Sequence, residues 1–364
     1  MNTAIFNNFI VIPFLKYVQK SAKLYHNSNQ CRKTTGKKMN GSPIIAIVGF
    51  GSLGALFASL LAPNMPFENL RIVADSDRVN RYQQQGLLVN GEPLTLNYVT
   101  PNESPHSNPS PADLVMVCTK FYQLNEVLPL IKSQLGDNTL IVSALNGIAS
   151  EKVLANAFGD ERIVYCVAQQ MDAMKNEPHE KNGKNGSQLI YRDHGQLVIG
   201  TMTTDSAERA RVQQVDAFFN QVNFPHSVSD DMPRQLWGKL MLNTGVNQTV
   251  ALYQGTFDTV QQAGEARDMF KAAMREVMAV AHAEGVTLTE EDFKKWLAIM
   301  DALDPKGMPS MRQDLKAGRR CELDLFAGTI RELGDQHGID TPVNDTLYDG
   351  ISALMANNQS GWQP

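Results

Sequence analysis

A short apolar run that opens straight into a complete G-x-G-x-x-G constrains this chain more than any other feature. Pro43-Ile-Ile-Ala-Ile-Val48 is continuous and apolar, as a strand must be when both faces of a parallel sheet are covered. Gly49, Phe50, Gly51, Ser52, Leu53 and Gly54 follow without a break. Ser52 to Leu61 has the pattern of a helix and Leu70-Arg-Ile-Val-Ala74 that of a second strand, which completes a βαβ unit. The glycine pattern alone is weak, because a plain glycine turn has the same letters. Between a buried strand and a helix start it has a physical purpose. Glycine lets the backbone approach a pyrophosphate, and the first turn of the helix offers unpaired N–H groups to it.

Further apolar runs at Leu114–Cys118, Thr139–Val142 and Arg162–Cys166 alternate with helix-like segments at Asn125–Leu135 and Ser150–Phe158. That alternation predicts a doubly wound α/β pattern with a parallel sheet. Pro101–Pro111, with four prolines, and Lys175–Gln188, rich in Asn, Gly and Lys, read as surface loops. After Asp231 almost everything from Pro233 to Ala356 reads as helix, for example Phe270–Glu284 and Cys321–His337, with apolar residues three and four apart. The expected fold class is α/β: an N-terminal Rossmann doubly wound parallel sheet followed by an all-helical C-terminal domain. A chain of 364 residues suits two domains, here a dinucleotide-binding domain over 43–230 and a helical substrate and catalytic domain over 231–357.

Residues 1–40 precede these domains as a basic tail with seven basic residues and no acidic one; the first acid of the chain is Glu68. Three readings are open for it: an organelle transit peptide, a disordered tail, or sequence translated from upstream of a true start at Met39. The strand pattern that begins almost at once after Met39 favours the third.

Charge and composition narrow the function. The balance of 33 basic against 38 acidic side chains, a net charge of −5, offers no general attraction to nucleic acid or to anionic membranes. The apolar run Phe9–Leu15 falls far short of the ~20 residues that span a bilayer, and Pro13 interrupts it. Neither a nucleic-acid nor a membrane partner is expected. Four cysteines lie scattered without a CxxC pair, and seven histidines form no HxH or HExxH cluster. These spacings predict no metal and a reducing, cytoplasmic setting. A small-molecule substrate is left as the natural partner.

Two groups of residues are candidates for its chemistry. Asp75 stands at the end of the second strand, where an acid commonly bonds the ribose hydroxyls of NAD. Its carboxylate would repel the phosphate of NADP, yet Arg78 and Arg81 follow one and two helical turns later and could compensate; a capping Asp with solvated arginines is the plainer alternative. In Trp237-Gly-Lys239-Leu-Met-Leu-Asn243-Thr-Gly-Val-Asn247, the lysine and the two asparagines are spaced i, i+4, i+8. On a helix they share one face, so an amine and two amides would line one surface. Such a row can hold a carboxylate and a hydroxyl while the lysine supplies a proton. A polar outer helix face is the alternative.

Taken in order, several segments together resemble the ketopantoate reductase family: the glycine motif, Cys118-Thr-Lys120, Leu145-Asn146-Gly147, the Lys-x3-Asn-x3-Asn helix, Ser310-Met-x-Gln-Asp314, and Glu322 eight residues later. The resemblance covers residues 44–350. It implies reduction of 2-dehydropantoate (ketopantoate) to pantoate, a step towards pantothenate and coenzyme A. Carried over residue by residue, it makes Lys239 the catalytic general acid, Asn243, Asn247 and Ser310 substrate ligands, and Asn146 a residue touching both cofactor and substrate. Lys120 becomes a cofactor contact, and Glu322 a catalytic, cofactor-side residue. The implied cofactor is NADPH, with NADH possible because Asp75 stands near a position where relatives often carry a basic residue. Tyr253-Gln-Gly-Thr-Phe-Asp258 also departs from an Asn-Gly pair common there, which leaves a related 2-oxo acid open as substrate. Outside the enzyme class, a non-catalytic dinucleotide-binding sensor would keep the glycine loop and be indifferent to Lys239. Monomer and homodimer are both compatible with the sequence.

Overall fold

The first strand is buried at every position, and a computed structural model shows what covers it. The structure describes residues 41–101, 110–176 and 186–359. The basic tail, the middle of the proline-rich stretch and residues 177–185 lie outside the described residues. From β1 (Ile45–Val48) the chain passes through α1 (Ser52–Leu61), β2 (Leu70–Val73), α2 (Ser76–Gln85), β3 (Leu87–Val89), β4 (Glu92–Leu94), β5 (Asn97–Val99) and β6 (Leu114–Val117). It continues through α3 (Leu124–Lys132), β7 (Leu140–Ser143), α4 (Ser150–Phe158), β8 (Ile163–Gln169), β9 (Asp172–Asn176), β10 (Ser187–Asp193), β11 (Gln196–Gly200), α5 (Ser206–Gln221) and β12 (His226–Ser229).

The main sheet has the order β12-β11-β8-β7-β6-β1-β2-β5, with β1 parallel to both β2 and β6. Alternate residues of β1 serve two cores. Ile45 and Ile47 pack with side chains of α1 and α5, and Ala46 and Val48 with side chains of α3 and α4. Strand order reverses between β1 and β6, and in open sheets of this kind the crevice at the carboxyl ends of those strands receives ligands.

Two features depart from the sequence reading. The sheet is mixed, because β11 runs antiparallel to β8. A second, four-stranded sheet, β4-β3-β10-β9, is also present. Its β3 and β4 are joined by the two-residue turn Asn90-Gly91, both at positive φ (49° and 94°), which matches the twist of a tight hairpin. Its other half comes from the stretch read as a loop: β9 ends at Asn176 and β10 begins at Ser187. Pairing of β10 with β3 is long-range and leaves no local mark.

The helices are α6 (Met232–Leu252), α7 (Asp258–Gln261), α8 (Glu265–Ala283), α9 (Glu290–Asp301), α10 (Ser310–Lys316), α11 (Ala327–His337) and α12 (Pro342–Gln359). Asp231 starts α6 by accepting from Arg234 N at 3.2 Å, a normal N-cap. Arg234 then clamps Asp292 of α9 through Nε at 3.0 Å. Trp237, Leu240, Met241, Val246 and Val250 of α6 share one core with Phe270, Met274 and Val277 of α8 and with Phe326 and Ile330. The helix expected over Cys321–His337 begins only at Ala327. Leu323–Leu325 is a single 3₁₀ turn, and Glu322 before it is non-helical (φ −90°, ψ 48°). No helix among the described residues is long and apolar enough to cross a membrane.

Candidate active site

Three strand ends open the crevice. Gly49–Gly54 follows β1, Cys118-Thr119-Lys120 follows β6, and Asn146 follows β7 after Ala144 and Leu145. The three glycines of the loop have different surroundings. A Cβ on Gly49 (φ +99°) would lie 2.6 Å from the backbone of Cys118 and Thr119, and one on Gly54 would run into the carbonyl of Gly49. At Gly51 a Cβ would meet nothing. The outer glycines are therefore required by packing, whereas the middle one borders open space at the start of α1. That space is where a pyrophosphate approaches in this type of turn, so these residues fit a dinucleotide.

The opposite wall is α6. Leu236–Ala251 is buried at every position except Lys239 and Asn243. A helix apolar or buried on all other sides is a core helix, so the polar stripe does not belong to a solvated outer face. Asn247 continues the stripe one turn deeper, at 5% exposure, and its Oδ1 accepts from the Ser310 hydroxyl at 3.3 Å. Ser310 is the first residue of α10 and forms no side-chain cap.

Lys239 forms none of the ion pairs present among the described residues. Burial brings its pKa down to about 8; the Glu322 carboxylate favours the ammonium without offsetting that cost. Cys166, on β8, is itself buried and donates to Ser143 O at 3.0 Å. Its thiol is held well above the usual range by burial.

Lys120 links the sheet to the helices. Its Nζ lies 3.0 Å from Asp314 Oδ2 and 3.3 Å from Glu322 Oε2. The other Glu322 oxygen accepts from Phe121 N at 3.2 Å. Burial opposes the Lys120 charge, but two adjacent carboxylates outweigh it and raise the pKa. Asp314 also binds Arg319 through Nε and Nη2, at 3.0 and 2.9 Å. Glu322 reaches this position because it stands before the 3₁₀ turn rather than inside a helix. Asn146 is half-buried, and next to it Gly147 (φ +85°) packs so closely on Leu325 that a Cβ would lie 2.8 Å from that side chain.

Of the expected site residues, Lys120 thus meets Glu322 and Asn247 meets Ser310, while Asn243 and Lys239 stand one and two turns before Asn247 on α6, with Lys239 within electrostatic reach of Glu322. Asp75 stands apart, at the carboxyl end of β2. It caps α2 by accepting from Arg78 N at 2.8 Å and pairs with Arg78 Nη1 at 3.1 Å, while Arg81 lies over the ring of Tyr82. Asp314, quoted in the sequence only as the end of the Ser310-Met-x-Gln-Asp314 segment and given no role, is four residues after Ser310 and so on its helix face, a signal that was available. Cys166 carried none. Among the described residues no cluster of three or more His, Cys, Asp or Glu side chains could hold a metal ion.

Comparison with known proteins agrees over nearly the whole described chain. Residues 45–203 match the family model described as ketopantoate reductase PanE/ApbA, and residues 231–355 match its C-terminal counterpart. A 2-dehydropantoate 2-reductase of Streptococcus pyogenes is 26% identical over 319 residues, covering 86% of this chain and 98% of that protein. Among solved structures, a 2-dehydropantoate 2-reductase from Geobacter metallireducens is 25% identical with a TM-score of 0.69, covering 85% of this chain and 99% of the other. D-mandelate dehydrogenase in complex with NADH and anilino(oxo)acetate has the same fold, with a TM-score of 0.72 at 22% identity, covering 86% and 99%.

Proposed function

This chain belongs to the ketopantoate reductase PanE/ApbA family, and on that premise we propose that it reduces 2-dehydropantoate to pantoate with Lys239 as general acid. It is a nicotinamide-dependent oxidoreductase acting on a CH–OH group. One observation carries the proposal: along sixteen residues of a buried helix, Leu236–Ala251, only Lys239 and Asn243 are more than marginally exposed.

Reduced nicotinamide, when bound, supplies the hydride for the ketone carbon. Gly49, Phe50, Gly51, Ser52, Leu53 and Gly54 would hold the dinucleotide with Asp75, Lys120, Asn146 and Glu322, and residues 43–230 form the cofactor half of the working enzyme. Residues 231–357 form the substrate half. Asn243 and Asn247 present amides, and Ser310 a hydroxyl, to the carboxylate and hydroxyl of 2-dehydropantoate. The Lys239 ammonium faces the ketone oxygen, stabilises the charge that develops there and hands it the proton. Glu322 acts on Lys239 electrostatically and favours its charged form.

A second reading, a reductase of a related 2-oxo acid, is favoured by Tyr253-Gln-Gly255, which replaces the family's Asn-Gly pair. Initial rates with 2-dehydropantoate and with bulkier 2-oxo acids, followed by nicotinamide absorbance, separate the two. The proposal expects the highest kcat/KM for 2-dehydropantoate. A larger value for an aromatic 2-oxo acid would overturn the substrate assignment, and no turnover of any 2-oxo acid despite dinucleotide binding would leave a sensor.

A further inference from the structure

The loop that carries Asn146 is closed at its base by two serines. It runs from the end of β7 at Ser143 to the start of α4 at Ser150. Between them, Leu145, Asn146, Gly147 and Ile148 take part in no backbone–backbone hydrogen bond among the described residues. The Ser143 and Ser150 hydroxyls meet at 2.8 Å, and Ser150 Oγ donates to Glu151 Oε2 at 2.9 Å. A hydroxyl has a single proton to donate. Ser150 gives its own to Glu151, so Ser143 is the donor to Ser150, and the chain of hydroxyls runs in one direction towards the acid. The Ser143 carbonyl is engaged as well, accepting from the Cys166 thiol at 3.0 Å.

Glu151 stands in an unfavourable place for a carboxyl group. It is 2% exposed, beside Ser143 at 0% and Ser150 at 1%, and it forms no ion pair among the described residues. Burial pushes its carboxyl up to about 7, against the Ser150 hydroxyl and its own backbone N–H, which favour the charged form. Packing alone would be served better by an apolar side chain. The acid supplies an acceptor instead. Without it, one of the two serine protons stays unpaired in a dry site, and the serines can satisfy it only by breaking the bond between them. The other restraint on the loop lies just past Asn146, where Gly147 packs on Leu325.

We propose that Glu151 is a positioning residue that acts through Asn146: as terminal acceptor of the hydroxyl chain, it keeps the two ends of the loop together and so fixes the Asn146 amide in the crevice. The inference rests on the reading of Asn146 as a residue that touches both the nicotinamide cofactor and the 2-oxo acid.

Fluorescence titration of the full chain with NADPH and with NADH, without any 2-oxo acid, reads this apart from turnover, and kcat with 2-dehydropantoate gives a second measure. Glu151→Met keeps the length of the side chain and removes the acceptor. It is expected to lower kcat about tenfold or more and to weaken dinucleotide binding about threefold or more, as displacement of a contact residue does, while Tm falls by no more than about 2 °C. Ser150→Ala, which leaves the acid in place, should reproduce the loss. Glu151→Gln still offers an oxygen to Ser150 and should restore most of it. Asn146→Ala supplies the deciding comparison, because residues that act through one another are not additive. In that background Glu151→Met should cause no further loss. Full additivity would overturn the proposal, and so would a Glu151→Met variant whose only change is a lower Tm. Asn146→Ala with the binding and turnover of the unaltered protein would instead sink the reading of Asn146 itself.

Discussion

Lys239 has a lowered pKa because it is buried, and that gives its proposed role a pH signature. Only the ammonium can donate a proton, and with a pKa near 8 the ammonium is lost more than two pH units earlier than on a free lysine, whose value is about 10.4. Ketone reduction should therefore be flat below pH 8 and fall about tenfold per pH unit above it, while oxidation of the hydroxy acid, which needs the neutral amine as base, should rise over the same range. Lys239→Ala should lower kcat by about 100-fold or more and erase the inflection, with dinucleotide binding retained. Steady-state rates from pH 6 to 10 check both statements; an inflection that persists in the variant would assign it to another group. The spacing that singles out Lys239 was present in the sequence, but the lowered pKa was not. It depends on α6 being covered by strands β8 and β11 on one side and by later helices on the other.

At the level of elements, the glycine loop separates residues needed by the fold from residues needed by the ligand. A side chain at Gly54 collides with the Gly49 carbonyl, and one at Gly49 collides with the end of β6 while forcing a positive φ. Gly51 has an extended backbone (φ −80°, ψ −159°) that alanine adopts freely, and nothing lies where its Cβ would go. Gly51→Ala should accordingly leave Tm within about 2 °C, as an unstrained exposed substitution does, and weaken dinucleotide binding about tenfold or more. Gly54→Ala should lower Tm by several degrees or prevent folding. Thermal melts and binding titrations on the two variants decide this, and an unimpaired affinity in Gly51→Ala would mean that the loop does not approach a pyrophosphate. The motif and its flanking strand and helix were legible because each is a local pattern of size and polarity. Its letters do not distinguish the glycines, since what Gly49 avoids is backbone just after β6 and what Gly54 avoids is the Gly49 carbonyl brought close by the turn.

For the whole molecule, Lys120 is the joint between sheet and helices. Its two carboxylate partners lie 194 and 202 residues later in the chain, and both are nearly buried, with side-chain exposures of 9% and 6%. Removing the cation leaves Glu322 with only the Phe121 N–H as partner, beside an Asp314 that keeps Arg319. Lys120→Met should destabilise the protein by about 2–3 kcal/mol, less than the 3–5 of a fully buried pair because Lys120 itself is part-exposed. Adding Glu322→Gln should recover part of that loss. Chemical denaturation of the two variants measures it, and a double variant no more stable than Lys120→Met would show that the Glu322 charge left behind is not the cause. The sequence by itself determined the Rossmann order of strands and helices, the helical second half, the glycine turn and the polar stripe of α6. All of these follow from periods of two or 3.6 residues and from the sterics of glycine, which operate within a few neighbours. Only the tertiary structure decided that β11 runs antiparallel, that β9 and β10 leave the expected loop to join β3, that Glu322 stands outside a helix, and which cation answers which carboxylate. Each of those depends on surfaces that meet only after the chain has closed long loops, and the polar groups on such surfaces take whatever partners the docking brings within reach.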